Sequence, residues 1–220
     1  MYNCVVSLTS WKGRINTVSK TIYSIYEQCK CHIVLTLSTD EFPGKEKELP
    51  DDLMAFVNEG IVELLWVKEN EKCFKKILYT MEKYKDIPVI SADDDCIYTE
   101  NYVKNLYDHW LTDKKSIWTY KKNTATRIFT FGHGAACLYP PYCFGDNGLK
   151  FMKKPAILNT LHDDIYYGIL AKKMGIEIKA ANDDCEYKPY YFHDEIGALS
   201  KGKTVNGILA IRICDRVIQL

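Results

Sequence analysis

The chain lacks an excess of either charge: 29 Lys and Arg stand against 29 Asp and Glu. A nucleic-acid binder advertises itself by a basic surplus, and none is present. Long apolar runs are also missing. None approaches the roughly 20 residues that a membrane-spanning helix needs; the C-terminal stretch from Gly207 to Leu220 is interrupted by Arg212, Asp215 and Arg216. Asn3 and Cys4 lead straight into a strand pattern, so no secretory signal peptide is expected. There is no clean linker, no low-complexity stretch and no repeat of domain size. No Cys-x-x-Cys occurs, which argues against structural zinc. Cysteine itself is plentiful. The nine copies are odd in number and several lie inside apolar runs, as Cys4 and Cys137 do. They read as free, mostly buried thiols in a reducing compartment.

What is present begins with length. A chain of 220 residues suits one domain with a sizeable core. The first half alternates strand and helix: strands at 4–8, 33–37, 61–67 and 89–92, helices at 15–27, 51–58 and 73–84. That order predicts an α/β fold with a mostly parallel central sheet and helices on both faces. After Trp110 the pattern turns mixed. Strands are expected at 117–120, 127–131 and 176–180, and helices at 101–111, at 162–174 up to Gly175, and from about Val205. Sixteen tyrosines read mainly as rings at core edges, with sugar-binding grooves as their other use.

The most informative stretch is Asp93-Asp94-Asp95, directly behind the apolar run from Ile87 to Ala92. Adjacent carboxylates repel one another and resist burial. Delivered together to the end of a buried strand, they call for a cation. Oxygen ligands select Mg²⁺ or Mn²⁺, ions that complete their shell with water and substrate phosphate. Ligands of parallel sheets collect at that strand end. A solvated turn or helix start is the plain alternative. Nearby, Arg14 at a helix start is suited to phosphate, or is simply a surface arginine. Lys75 and Lys76 begin the helix that leads into the triplet's strand, and one of them is expected to face phosphate. Asp163-Asp164 opens a later helix behind His162. Asp163 is expected to cap it, and Asp164 to take a proton from an attacking hydroxyl. His133 and Gly134 lie in a glycine-rich stretch where backbone approaches a ligand closely, so both are candidate ligand contacts. Lys201 and Lys203, in the loop 197–203, are expected to meet a diphosphate as mobile point charges.

Four stretches together resemble bacterial GT-A glycosyltransferases that build capsule or other surface polysaccharides. They are Val6–Trp11 with Arg14-Ile15; Phe42-Pro43 with Leu49-Pro50; Asp93–Asp95 with Ile97-Tyr98; and Gly132–Pro141 followed by Asp163-Asp164-Ile165. They span most of the chain from Cys4 to Ala180. The short chain, His133 and Tyr166 depart from the usual pattern and bear on the acceptor. The resemblance implies a single GT-A (Rossmann-like) domain over 1–220. Its nucleotide-sugar half would be 1–98 and its acceptor half 99–220. It implies a nucleotide-diphosphate-sugar donor, UDP-sugar first, and a saccharide or lipid-linked saccharide acceptor. The cofactor would be Mn²⁺ or Mg²⁺, the outcome inversion, and the station cytoplasmic, with peripheral membrane association left open. In its terms Thr9 and Ser10 seat the nucleotide and Asp40 meets the base. Asp95 holds the metal, Asp93 holds metal or ribose, and Asp94 faces the donor sugar. His193 is either an additional metal ligand or a structural histidine.

Rival readings rest on single motifs. Gly197–Thr204 fits the phosphate loop GxxxxGK[ST], the mark of an NTPase or kinase. A phosphate loop follows an apolar strand directly, and Phe192–Ile196 is not one. A haloacid-dehalogenase-like phosphatase also places two acids behind a strand, but on its first strand. A non-catalytic sugar-binding module would have no use for the triplet.

Overall fold

A computed structural model describes residues 3–120, 122–125, 129–132, 136–145, 150, 154–181, 190–191 and 207–218. Seven strands form one sheet in the order β10-β6-β9-β4-β1-β2-β3. These are β1 (Val5–Thr9), β2 (His32–Ser38), β3 (Val62–Val67), β4 (Val89–Ser91), β6 (Ile117–Thr119), β9 (Cys137–Tyr139) and β10 (Ile178–Ala180). β1 runs parallel to β2 and β4, β2 to β3, and β10 to β6. Only β9 opposes its neighbours, joining β4 to β6. Two short antiparallel ribbons stand apart: β5 (Cys96–Ile97) with β11 (Tyr190–Tyr191), and β7 (Lys122–Ala125) with β8 (Phe129–Gly132).

Both faces of the sheet are covered, which is why its strands read as near-continuous apolar runs. The period of two sorts their side chains. Ile90, Leu138 and Trp118 point into one core with Val6, Leu8, Ile33 and Leu35. Val89, Cys137, Tyr139 and Ile117 point into the other. On the first face, α1 (Val18–Cys29) buries Val18, Ile22 and Ile25, and α4 (Tyr102–Thr112) buries Val103 and Leu106. On the second lie α3 (Leu78–Lys83), α6 (Asp163–Lys173) and α7 (Gly207–Val217). α2 (Asp51–Asn58) stops before Gly60, whose φ of 71° suits a residue without Cβ. A further helical turn, α5, spans Pro155–Leu158.

The helix expected over 73–84 is broken. Lys72–Lys76 forms a 3-10 turn, Ile77 leaves helical geometry at φ −124°, and α3 starts only at Leu78. Buried Ser7 of β1 fixes the break: its hydroxyl donates to the Lys76 carbonyl and shares a hydrogen bond with Thr80 at 2.6 Å. The strand expected over 127–131 appears as β8, beginning at Phe129 and hydrogen-bonded to β7, which periodicity does not announce. α4 opens on Asn101 at φ 68°, without a side-chain cap hydrogen bond at that N-cap position. Among the described residues, no helix is long and apolar enough to cross a membrane.

Candidate active site

β1, β2 and β4 deliver their carboxyl ends to one edge of the sheet, and the triplet follows β4 there. Its turn is held from below by tyrosines. The Asp93 backbone N–H donates to the Tyr98 hydroxyl at 2.8 Å. Tyr98 stacks on Tyr102 at 4.2 Å between ring centroids, and the Tyr102 hydroxyl donates to the Ser91 carbonyl at 2.5 Å. On the far side, the Thr21 hydroxyl of α1 donates to the Cys96 carbonyl at 2.8 Å. The three carboxylates therefore leave a braced backbone in fixed and different directions.

Asp94 turns inward and is only 5% exposed. It accepts from the Ser10 hydroxyl at 2.6 Å and from Arg14 Nη1 at 2.7 Å. The same Arg14 nitrogen lies 2.9 Å from Asp95 Oδ2. Burial works against the Arg14 guanidinium's charge, but Asp94 and Asp95 outweigh it and its pKa is raised. Two residues expected to meet the donor, Ser10 and Arg14, thus meet the triplet itself. Thr9 is tied to β2, its hydroxyl donating to the Thr36 carbonyl at 2.7 Å. Asp40 is exposed just past the end of β2, its backbone N–H bonded to the Lys68 carbonyl at 3.1 Å.

Asp93 Oδ1 lies 2.6 Å from Lys76 Nζ, and the same ammonium lies 3.2 Å from Asp163 Oδ2 at the start of α6. Burial opposes the Lys76 charge, yet Asp163 and Asp93 hold its pKa well above the ordinary lysine value. Lys75 turns elsewhere, donating to Asn70 Oδ1 at 2.6 Å, and burial lowers its pKa. The cap expected from Asp163 is not made. His162 occupies the N-cap position without a side-chain cap hydrogen bond, and Asp163 spends its carboxylate on Lys76. Asp164 Oδ1 accepts from the Ile165 N–H at 2.8 Å. Burial, then the neighbouring Asp163, push its carboxyl up to about 6.

Donor atoms of Asp93, Asp95 and Cys96 all lie within 4.8 Å of one another. Two hard carboxylate oxygens suit Mn²⁺ or Mg²⁺, whereas the fully buried Cys96 thiol is a soft ligand foreign to both. The acids fit the cofactor expected of them and the thiol belongs to the core. Tyr191 of β11 pairs with Cys96, one residue past Asp95. His193, His133, Gly134, Lys201 and Lys203 lie outside the described residues. Sequence reading missed the tyrosine brace; the signal was Tyr98 and Tyr102 at helical spacing behind the acids.

The mostly parallel seven-stranded sheet has the GT-A fold, as comparison with solved structures shows. Among solved structures, the chain is similar to the mannosyltransferase PcManGT from Pyrobaculum calidifontis, in complex with GDP-Man and Mn²⁺. The TM-score is 0.55 at 16% identity, over 83% of this chain and 55% of that one. It is also similar to GalNAc-T7 with UDP, GalNAc and Mn²⁺, with a TM-score of 0.44 at 20% identity, over 54% of this chain and 22% of that one. At 16% identity the likeness to the mannosyltransferase is one of fold, and the chain spans about half its length. No protein-family model and no curated protein matches the sequence.

Proposed function

We propose that the chain is a metal-dependent glycosyltransferase. It would move a sugar from a nucleotide-diphosphate donor, UDP-sugar first, to a saccharide acceptor in surface polysaccharide synthesis, with inversion. One observation carries the reading: Asp93, behind β4, and Asp163, at the start of α6 far later in the chain, converge on one edge of the sheet, joined through Lys76. A donor lying across that edge would have its diphosphate beside Asp93 and Asp95 and its sugar toward Asp164.

Asp95 and Asp93 would hold Mn²⁺ or Mg²⁺, an ion that stabilises the charge growing on a departing diphosphate. Thr9 and Asp40 would line the nucleotide, and Ser10 and Arg14 would hold Asp94 and Asp95 in place for it. Asp164 would accept the proton of the attacking hydroxyl, its raised carboxyl being matched to a base that works near neutrality. One displacement by a hydroxyl on the face opposite the leaving group inverts the anomeric centre. His193 as a metal ligand, Lys201 and Lys203 at the diphosphate, and His133 and Gly134 at the sugar are part of the same proposal. So are a saccharide or lipid-linked acceptor and a reducing, cytoplasmic station.

The test is a panel of UDP- and GDP-sugars with Mn²⁺ or Mg²⁺, read by release of nucleoside diphosphate. Release should need the metal, stop on chelation and be lost in Asp95→Ala. Hydrolysis of ATP or of phosphate monoesters without sugar-nucleotide turnover would overturn the reading in favour of an NTPase or a phosphatase.

A further inference from the structure

The acids that would take the metal already hold protein cations. Asp93 has Lys76 at 2.6 Å, and Asp95 has Arg14 at 2.9 Å. A divalent ion arriving alone must therefore compete for carboxylate oxygens that are in use. Each cation also has a second anchor. Lys76 reaches Asp163 at 3.2 Å, and Arg14 reaches Asp94 at 2.7 Å. Either can let go of its metal-site acid without being left as an unpaired buried charge, the outcome that makes breaking a buried pair costly. The two are not equal. Arg14 ties Asp94 to Asp95 and so belongs to the turn. Lys76 is a point charge on a flexible stem, poised between the two halves of the site.

We infer that Lys76 is a positioning residue that serves as the site's built-in counter-cation. Metal alone must displace it, and a diphosphate draws it off Asp93, so that metal and nucleotide bind cooperatively. The inference rests on the glycosyltransferase reading for the identity of the diphosphate. Arriving phosphate oxygens give the ammonium a new partner and free the Asp93 oxygen. The ion and the nucleotide thereby remove each other's obstacle, which is a coupling free energy between two ligands. A lysine with a merely structural role makes the opposite forecast, since its loss would loosen the site and weaken the metal.

The decisive measurement is Mn²⁺ affinity without nucleotide, by paramagnetic resonance of the free ion, for the intact chain and for Lys76→Gln, Lys76→Met and Lys76→Arg. Glutamine can still hydrogen-bond both acids, and arginine keeps the charge. Lys76→Gln and Lys76→Met should bind Mn²⁺ alone about tenfold tighter than the intact chain, and the gain on adding UDP should shrink by a similar factor. Lys76→Arg should behave as the intact chain does. Unchanged or weaker Mn²⁺ binding in both neutral variants overturns the inference, as does an arginine variant that follows them. Nitrogen-labelled lysine NMR on the unaltered protein gives an independent reading. The Lys76 Nζ resonance should move when Mg²⁺ is titrated in, and a resonance that stays in place overturns the inference even where a variant fails to fold. Both metal-only arms need no nucleotide. If UDP and GDP fail to bind, the glycosyltransferase reading falls, while the competition between Lys76 and the metal is decided on its own.

Discussion

Neighbouring acids in this site have been given different work by their surroundings. Asp94 is turned under the sheet edge to hold Ser10 and Arg14, and Asp163 is spent on Lys76. Asp164 has a backbone N–H as its hydrogen-bond donor and is pushed up to about 6, first by burial and then by Asp163. A base with that value is ionised only above it, so turnover should fall as pH drops through about 6. Asp164→Asn should lose ~10²-fold or more of turnover and the acidic limb with it, while donor binding persists. The stability sign runs the other way. The folded state holds this proton more tightly than an unfolded carboxyl at about 3.9 does, so its contribution is complete below that value and is lost as pH rises toward 6. Asp164→Asn should therefore melt higher than the unaltered chain at pH 8, and the difference should close by pH 4. Thermal melts at the two values check it. Equal melts at both would show that the carboxyl is not raised.

Elements built from long local patterns were legible in the sequence. α2 lies over 51–58 as expected, since its apolar spacing sits between Pro50 and Gly60. The parallel strands β1 to β4 keep their places to within a residue or two: β1, β2 and β4 are buried on both faces, and the half-buried edge strand β3 still carries an apolar run. The triplet's strand end was legible for the same reason. β9 was not. Three residues, Cys137–Tyr139, followed by two prolines, carry no period that separates a strand from a loop. Its place comes from what surrounds it, β4 on one side and β6 on the other. The break at Ile77 was hidden as well. Its cause is Ser7, 70 residues earlier in the chain, holding the Lys76 carbonyl. Likewise no local signal says that Arg14 will turn to Asp94 and Asp95. β9 supplies a test at this scale. Leu138 is fully buried and lies opposite both Ile90 and Trp118. Leu138→Ala should cost about 3 kcal/mol, the usual range for emptying a closed core being 2–5, read from the urea midpoint. A cost below about 1 kcal/mol would mean that this strand tolerates a gap, as an edge strand does.

At the scale of the molecule, the two halves of the chain, before and after Tyr98, do not own separate cores. β4 from the first half pairs with β9 from the second, and the sheet runs on through β6 and β10. The core on one face joins Val6, Leu8 and Ile33 to Trp118 and Leu138; the core on the other joins Phe74 and Val89 to Ile165 and Ala210. The ion pair from Asp93 through Lys76 to Asp163 crosses the same divide. Cutting the chain after Tyr98 would strip β4 of one neighbour and open both cores at once. We therefore expect one cooperative transition for the full chain rather than two. Tryptophan reports on both halves, since Trp11 and Trp66 lie in the first and Trp110 and Trp118 in the second. Urea curves by tryptophan fluorescence and by far-ultraviolet circular dichroism should superimpose. The fragment 1–98 made alone should give no cooperative curve. If the two probes separate, or if the fragment melts cooperatively, the halves are independent domains. The convergence of their acids would then be a matter of docking rather than of one continuous sheet.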